Sequence, residues 1–207
     1  MIQLVLFIIF GFHSICFNNI AEPIQQQKSK IIIDCNYTFK EATSGIDIPK
    51  SILKQLTLLN VEYYSFDGKL HRGQIVINKS VINDIKEIFS FIKKTTFPVN
   101  KVIPIVKYNW SDEKSMNDNN TSAFNYRKVK GQKVFSAHSL GLAIDINPLL
   151  NPQFKHELVF PSKGKYDPKI PGTILNGTKL VKEFQKLGWQ WGGYWKSSKD
   201  YQHFEKQ

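Results

Sequence analysis

Apolar residues in the stretch 81–94 recur every three or four positions: Ile82, Ile85, Ile88, Phe89 and Ile92. That spacing lines one helix face and predicts a helix from Val81 to Lys94, with Ser80 as N-cap and Phe97-Pro98 as its stop. A shorter helical pattern runs from Thr178 to Leu187, with Leu180, Val181, Phe184 and Leu187 inward and Gly188 ending it. Ahead of the first helix, 61–66 (VEYYSF) and 73–78 (GQIVIN) read as strands, and Asp67-Gly68 between them is a turn signal. Residues 102–108 read as a strand broken by Pro104, hence an edge. Short strands are expected at 142–147 and 200–205. The stretches 109–123 and 148–177 are polar or rich in Pro, Gly and Lys, and read as long loops of the kind that carries function. Helices and strands mix without regular alternation. This predicts an α+β fold: one small domain with a central antiparallel sheet and flanking helices, without internal repeat.

The N-terminus departs from this pattern. Residues 1–12 (MIQLVLFIIFGF) are an uncharged apolar run, too short for a comfortable membrane span and of signal-peptide length. The expected organisation is a signal peptide at 1–21, a linker or N-terminal segment at 22–45, and one domain at 46–207. That implies export to the periplasm, cell envelope or medium, with no membrane span left after cleavage. Length and composition suit such a domain: 207 residues, 42% hydrophobic and 13% aromatic. The formal net charge of +11 favours anionic surroundings such as nucleic acid, anionic lipid or a cell-wall polymer. The lysines are scattered, no basic helix stands out, and a leader opposes nucleic-acid binding. Of two cysteines, Cys16 and Cys35, cleavage leaves only Cys35, so neither a disulfide scaffold nor a four-cysteine zinc site is available.

The chemistry sits in two stretches, 136-SAHSLGLAID-145 and 200-DYQHFE-205. With period two, Leu142, Ile144 and Ile146 face the core, while Gly141, Ala143 and Asp145 face the other way. That second face is small, small, carboxylate, and leaves space for His138 to bend over it. His203 lies on a strand face with Tyr201 and Glu205, and Phe204 packs behind. Two imidazoles and one carboxylate from His138, Asp145 and His203 make a three-ligand set that leaves a fourth zinc position open, as in catalytic sites. Asp200, three residues before His203, suits a general base. Glu205 is its rival, or else holds the His203 imidazole from behind. Singly, each histidine reads as an ordinary core or surface residue; the pairing of the two stretches raises the metal reading.

These residues resemble a known family. The S-x-H-x-x-G-x-A-x-D run of Ser136, His138, Gly141, Ala143 and Asp145 is similar to the signature of the VanY-like zinc D-Ala-D-Ala carboxypeptidases, which include L-alanyl-D-glutamate endolysins. The W-G-G-x-W run from Trp191 to Trp195 and the D-x-x-H-F-E run from Asp200 to Glu205 resemble that family's second half. The runs 66-FDGKLHRGQIVIN-78 and 115-SMNDNNTSAFNYR-127 look like its endolysin-like branch. The resemblance implies one zinc per chain on His138, Asp145 and His203, Asp200 as catalytic acid/base, and Arg127 polarising the scissile carbonyl. It also implies peptidoglycan stem peptides as substrate. Trp191 and Trp195 read equally as walls of a peptide cleft or as core under a turn, and His71 has no assigned role.

The expected protein is therefore an exported zinc metallopeptidase, monomeric, cutting as a carboxypeptidase or an endopeptidase. The rival from another class is a zinc-containing cell-wall-binding module without catalysis.

Overall fold

The computed structural model describes residues 31–129 and 133–207. The expected leader at 1–21, Cys16, and residues 22–30 of the expected linker lie outside the described residues. The rest of that expected linker or N-terminal segment carries two short elements. Strand β1 (Ile32–Ile33) pairs in parallel with the hairpin described next, and helix α1 (Phe39–Ala42) is closed by a capping box between Thr38 and Glu41. Main-chain pairing of two residues has no apolar period, which hides it among the lysines.

A short helix α2 (Lys50–Leu53) leads into β2 (Leu56–Tyr64) and β3 (Leu70–Asn78). These pair antiparallel over nine residue pairs, from Leu56 opposite Asn78 to Tyr64 opposite Leu70. The turn forms where expected. Asp67 Oδ1 accepts from the Lys69 N–H at 2.9 Å, and Gly68 takes a φ of 74° that other residues adopt only under strain.

Helix α3 (Ile82–Lys94) follows, with Ile85, Ile88, Phe89 and Ile92 buried as their spacing predicts. Its cap differs from expectation. Asn78 Oδ1 accepts the Ser80 N–H at 3.0 Å and opens a 3-10 turn at Lys79–Val81, so Ser80 lies inside the entry rather than capping it. Three further expectations are corrected. Only β4 (Lys101–Val102) is extended in 102–108; Pro104 cannot donate to a ladder and instead starts a 3-10 turn at Ile105–Tyr108. The polar stretch 109–123 contains helix α4 (Asp112–Asn117), capped by Ser111 Oγ, and β5 (Asn120–Thr121), parallel to β4. After β6 (Ala143–Asp145), the Pro- and Gly-rich stretch 148–177 contains a hairpin of β7 (Gln153–Lys155) and β8 (Leu158–Phe160).

Helix α5 (Lys179–Lys186) and strands β9 (Gln190–Trp191), β10 (Lys199–Asp200) and β11 (His203–Glu205) complete the chain. β11 lies between β6 and β9, antiparallel to both, and β10 extends the β7–β8 hairpin. One core joins these parts: Tyr63, Ile75 and Ile77 from the hairpin, the inner face of α3, Val181 and Phe184 from α5, and Ile144 and Phe204 from the small sheet. Each such side chain contributes about 1.5–3 kcal/mol by leaving water. The fold is α+β, as expected. Among the described residues, no helix is long and apolar enough to cross a membrane.

Candidate metal centre and active site

Ser136 caps a 3-10 turn at Ala137–Leu140, its Oγ accepting the His138 N–H at 3.3 Å. Gly141 ends the turn at φ 67°. Its role is not the expected one of clearing space above the strand. A Cβ at Gly141 would stand 2.6 Å from the Asn78 nitrogen, so glycine alone lets the turn lie on the end of β3. There the Asn78 N–H donates to the Gly141 carbonyl at 2.9 Å. β6 then runs back antiparallel to β11, in a register that sets Asp145 opposite His203.

The three expected ligands meet. His138 Nε2 lies 3.2 Å from His203 Nδ1 and 3.3 Å from Asp145 Oδ1, and His203 Nδ1 lies 3.0 Å from the same oxygen. Zinc bonds of about 2.0–2.1 Å in tetrahedral directions require donor separations of about 3.3 Å, so the three atoms form one face of a zinc tetrahedron. Each imidazole is turned the right way by its other nitrogen. His138 Nδ1 donates to the Ala123 carbonyl at 2.5 Å, which leaves the Nε2 lone pair for the centre. His203 Nε2 lies 3.2 Å from Glu205 Oε2, which leaves Nδ1 inward. All three residues are buried, so bulk water competes little for a cation.

The charges agree. Burial works against a charged His203, yet the hydrogen bonds to Asp145 and Glu205 win and push it up to about 10. Burial also opposes the Asp145 carboxylate, but His138 and His203 hold it well below the usual carboxylate range. Both directions mark a centre that attracts positive charge. Among the described residues, this is the one cluster of three such donors close enough to share a metal.

Asp200 lies beside this centre. Burial pushes its carboxyl up to about 7, with His203 and Asp145 acting on it in opposite senses. Its Oδ2 accepts from Gln153 Nε2 at 2.9 Å, while Oδ1 is buried without a hydrogen-bond partner. Arg127 comes to the same turn through its backbone. Its N–H donates to Ser139 Oγ at 2.9 Å, and its carbonyl accepts the Ser136 N–H. The guanidinium pairs with Asp112 of α4, Nη2 to Oδ2 at 2.8 Å, and its Nε is buried without a partner. Glu205 holds His203 from behind and does not compete with Asp200 for the base position.

The tryptophans separate. Trp191 is 2% exposed, donates through Nε1 to the Tyr201 carbonyl and stacks near Phe204, so it is core and no cleft wall. Trp195 is half-buried, with its ring centroid 5.2 Å from that of His203, and remains available to a ligand. His71 sits between Asp34 and Asp67, away from the metal centre. The Ala123 carbonyl, Gln153 and Asp112 were not foreseen. A main-chain carbonyl has no sequence signature, and both side chains lie in stretches read as loops.

Residues 130–206 match the family model described as D-alanyl-D-alanine carboxypeptidase. No curated protein and no solved structure matches the chain. The matched range contains both motif halves, with His138, Asp145, Asp200 and His203, and excludes the upstream runs 66–78 and 115–127. Over residues 130–206 the chain is therefore similar to the D-alanyl-D-alanine carboxypeptidase family, which supports the VanY-like resemblance of its two motif halves.

Proposed function

We propose that this peptidase is zinc-dependent, is exported, and hydrolyses a peptide bond in the stem peptides of peptidoglycan. The observation that carries the reading is the buried triangle of His138 Nε2, Asp145 Oδ1 and His203 Nδ1, with edges of 3.0–3.3 Å and both imidazoles oriented from behind. Zinc held there supplies Lewis acidity for the scissile carbonyl and the attacking water.

The chain's own groups do the rest. Asp200 takes a proton from the attacking water as the water oxygen bonds to the carbonyl carbon. The carbonyl π pair moves onto oxygen, and Arg127, anchored by Asp112, donates to the negative charge that develops there. Asp200 then returns the proton to the leaving nitrogen as the C–N bond breaks. In the metal-free protein burial pushes the Asp200 carboxyl up to about 7, and a bound cation beside it would lower it again and favour the ionised, proton-accepting form. The +11 charge draws the enzyme to an anionic wall.

Digestion of purified peptidoglycan, with and without a chelator, tests this by mass spectrometry of the products. Chelator-sensitive release of terminal D-alanine identifies a carboxypeptidase, and chelator-sensitive cleavage within the stem or cross-bridge identifies an endopeptidase. Absence of product from protein that holds one zinc per chain overturns the enzymatic reading in favour of a binding module.

A further inference from the structure

We propose that Gln153 is a positioning residue that acts through Asp200 and selects which of its two carboxylate oxygens takes the proton. This rests on the reading of Asp200 as general base.

The pairing of β10 with β7 sets Asp200 directly opposite Gln153. Across that pair, Gln153 Nε2 donates to Asp200 Oδ2 at 2.9 Å. An amide N–H only donates, so Oδ2 remains an acceptor whether the acid is ionised or neutral. An amide turned the other way would set its oxygen against a carboxylate oxygen, which electrostatics opposes. The Gln153 N–H occupies one lone pair of Oδ2 and stabilises negative charge on it, which favours Oδ1 as the site of the incoming proton. That oxygen is buried and makes no hydrogen bond, although the Gln202 side chain lies close enough to favour the ionised carboxyl. Leaving such an acceptor unpaired is costly, and a proton arriving from the attacking water relieves it.

The acid is also packed closely at its base. Gly192 packs against it so closely that a Cβ there would stand 2.6 Å from the Asp200 carbonyl oxygen and 2.9 Å from its Cβ. Gly192 thus packs against the backbone and Cβ of the acid, and the Gln153 amide holds one oxygen of its carboxyl group. The proton passes from water to Oδ1 and from Oδ1 to the leaving nitrogen. Oδ2 stays on Gln153 throughout.

A purely structural Gln153, stapling β7 to β10, would look the same at rest but differ in kinetics. The test uses the zinc-loaded full chain and a soluble stem peptide. Gln153→Met keeps length and volume and removes the donor. Gln153→Asn withdraws the donor by one methylene and serves if the first variant does not fold. The expected result is a 10- to 100-fold fall in kcat, on the order seen when groups supporting catalytic residues are lost, with KM and zinc content unchanged. In an Asp200→Asn background the same substitution should add no further loss, since it acts through that carboxylate alone. Wild-type kcat in the Gln153 variant overturns the proposal, as does an equal fractional loss in both backgrounds. Wild-type activity of Asp200→Asn by itself instead overturns the general-base reading.

Discussion

β2 and β3 are nine residues long and pair along their whole length, whereas no strand of the two small sheets around the metal centre exceeds three. The hairpin and α3 are held by continuous main-chain pairing and by an apolar face with one period. The site half is clasped by side-chain amides. Asn147 accepts the Asn100 N–H at 2.9 Å and donates to the carbonyls of Pro98 and Gly172, at φ 46°. Asn151 accepts the Ile174 N–H and donates to Ile146 and Gly172. Buried charges sit on these short strands, where a long apolar ladder would leave no room for them. The hairpin half is built for stability, and the site half holds groups that water would otherwise solvate.

The sharpest way to break this division is at the centre itself. His138→Ala removes a ligand from the site half while leaving the hairpin core untouched. It should abolish chelator-sensitive activity, by about 10³-fold or more, and lower zinc content measured by mass spectrometry. If Arg127 donates to the oxyanion as proposed, Arg127→Ala should lower kcat by about 10²–10³-fold. Asp112→Asn, which loosens the guanidinium without removing it, should give a smaller loss of about 10-fold in the same assay. If the two losses are equal, Arg127 acts only as a partner for α4.

Stability separates the halves next. Asn147→Ala deletes three hydrogen bonds and leaves alanine at positive φ, so denaturant unfolding should show a loss of about 2–4 kcal/mol. Ile88→Val, in the middle of α3, should lose only about 0.5–1.5 kcal/mol. Reversal of that order would show that the amide clasps matter less than apolar packing.

A pH dependence of comparable size to the Ile88→Val loss is also expected. Asp200 binds its proton more tightly when folded, at about 7 rather than near 4, so its ionisation removes stability as pH rises across that window. His203, pushed up to about 10, adds stability below its ordinary value that fades as pH rises through 10. Both slopes fall with rising pH in metal-free protein. Asp200→Asn should remove the first, gaining on the order of 1–2 kcal/mol over the native chain between pH 5 and pH 8. Thermal melts in chelator at the two pH values measure it, and an unchanged slope would show that the Asp200 carboxyl is not raised.

The same division explains what the sequence disclosed. Helix α3 and the turn at Asp67-Gly68 were legible because one period and one turn signal specify them locally. His138, Asp145, Asp200 and His203 were legible through motif spacing, since one pleat and one tight turn fix where those side chains go. The hairpin at β7 and β8 was not, because its few residues have no period and are held by Asn147 and Asn151 from outside. Helix α4 was hidden for a related reason: its Ser111 cap and acidic first turn read as polar loop. Pro104 misled by type, since a proline that breaks a strand equally well starts a 3-10 turn. β1, inside the expected linker or N-terminal segment, was not legible because only backbone atoms make its pairing.

The contact between Gly141 and the end of β3 has a consequence in time rather than in space. The Asn78 amide belongs to the most continuously paired strand of the chain, but its hydrogen bond ends on the turn that presents His138. Each time that turn lifts, this one amide is released to solvent while its neighbours along β3 stay protected. Its hydrogen-exchange rate is therefore a clock for opening of the catalytic turn, and it should slow when the centre is loaded.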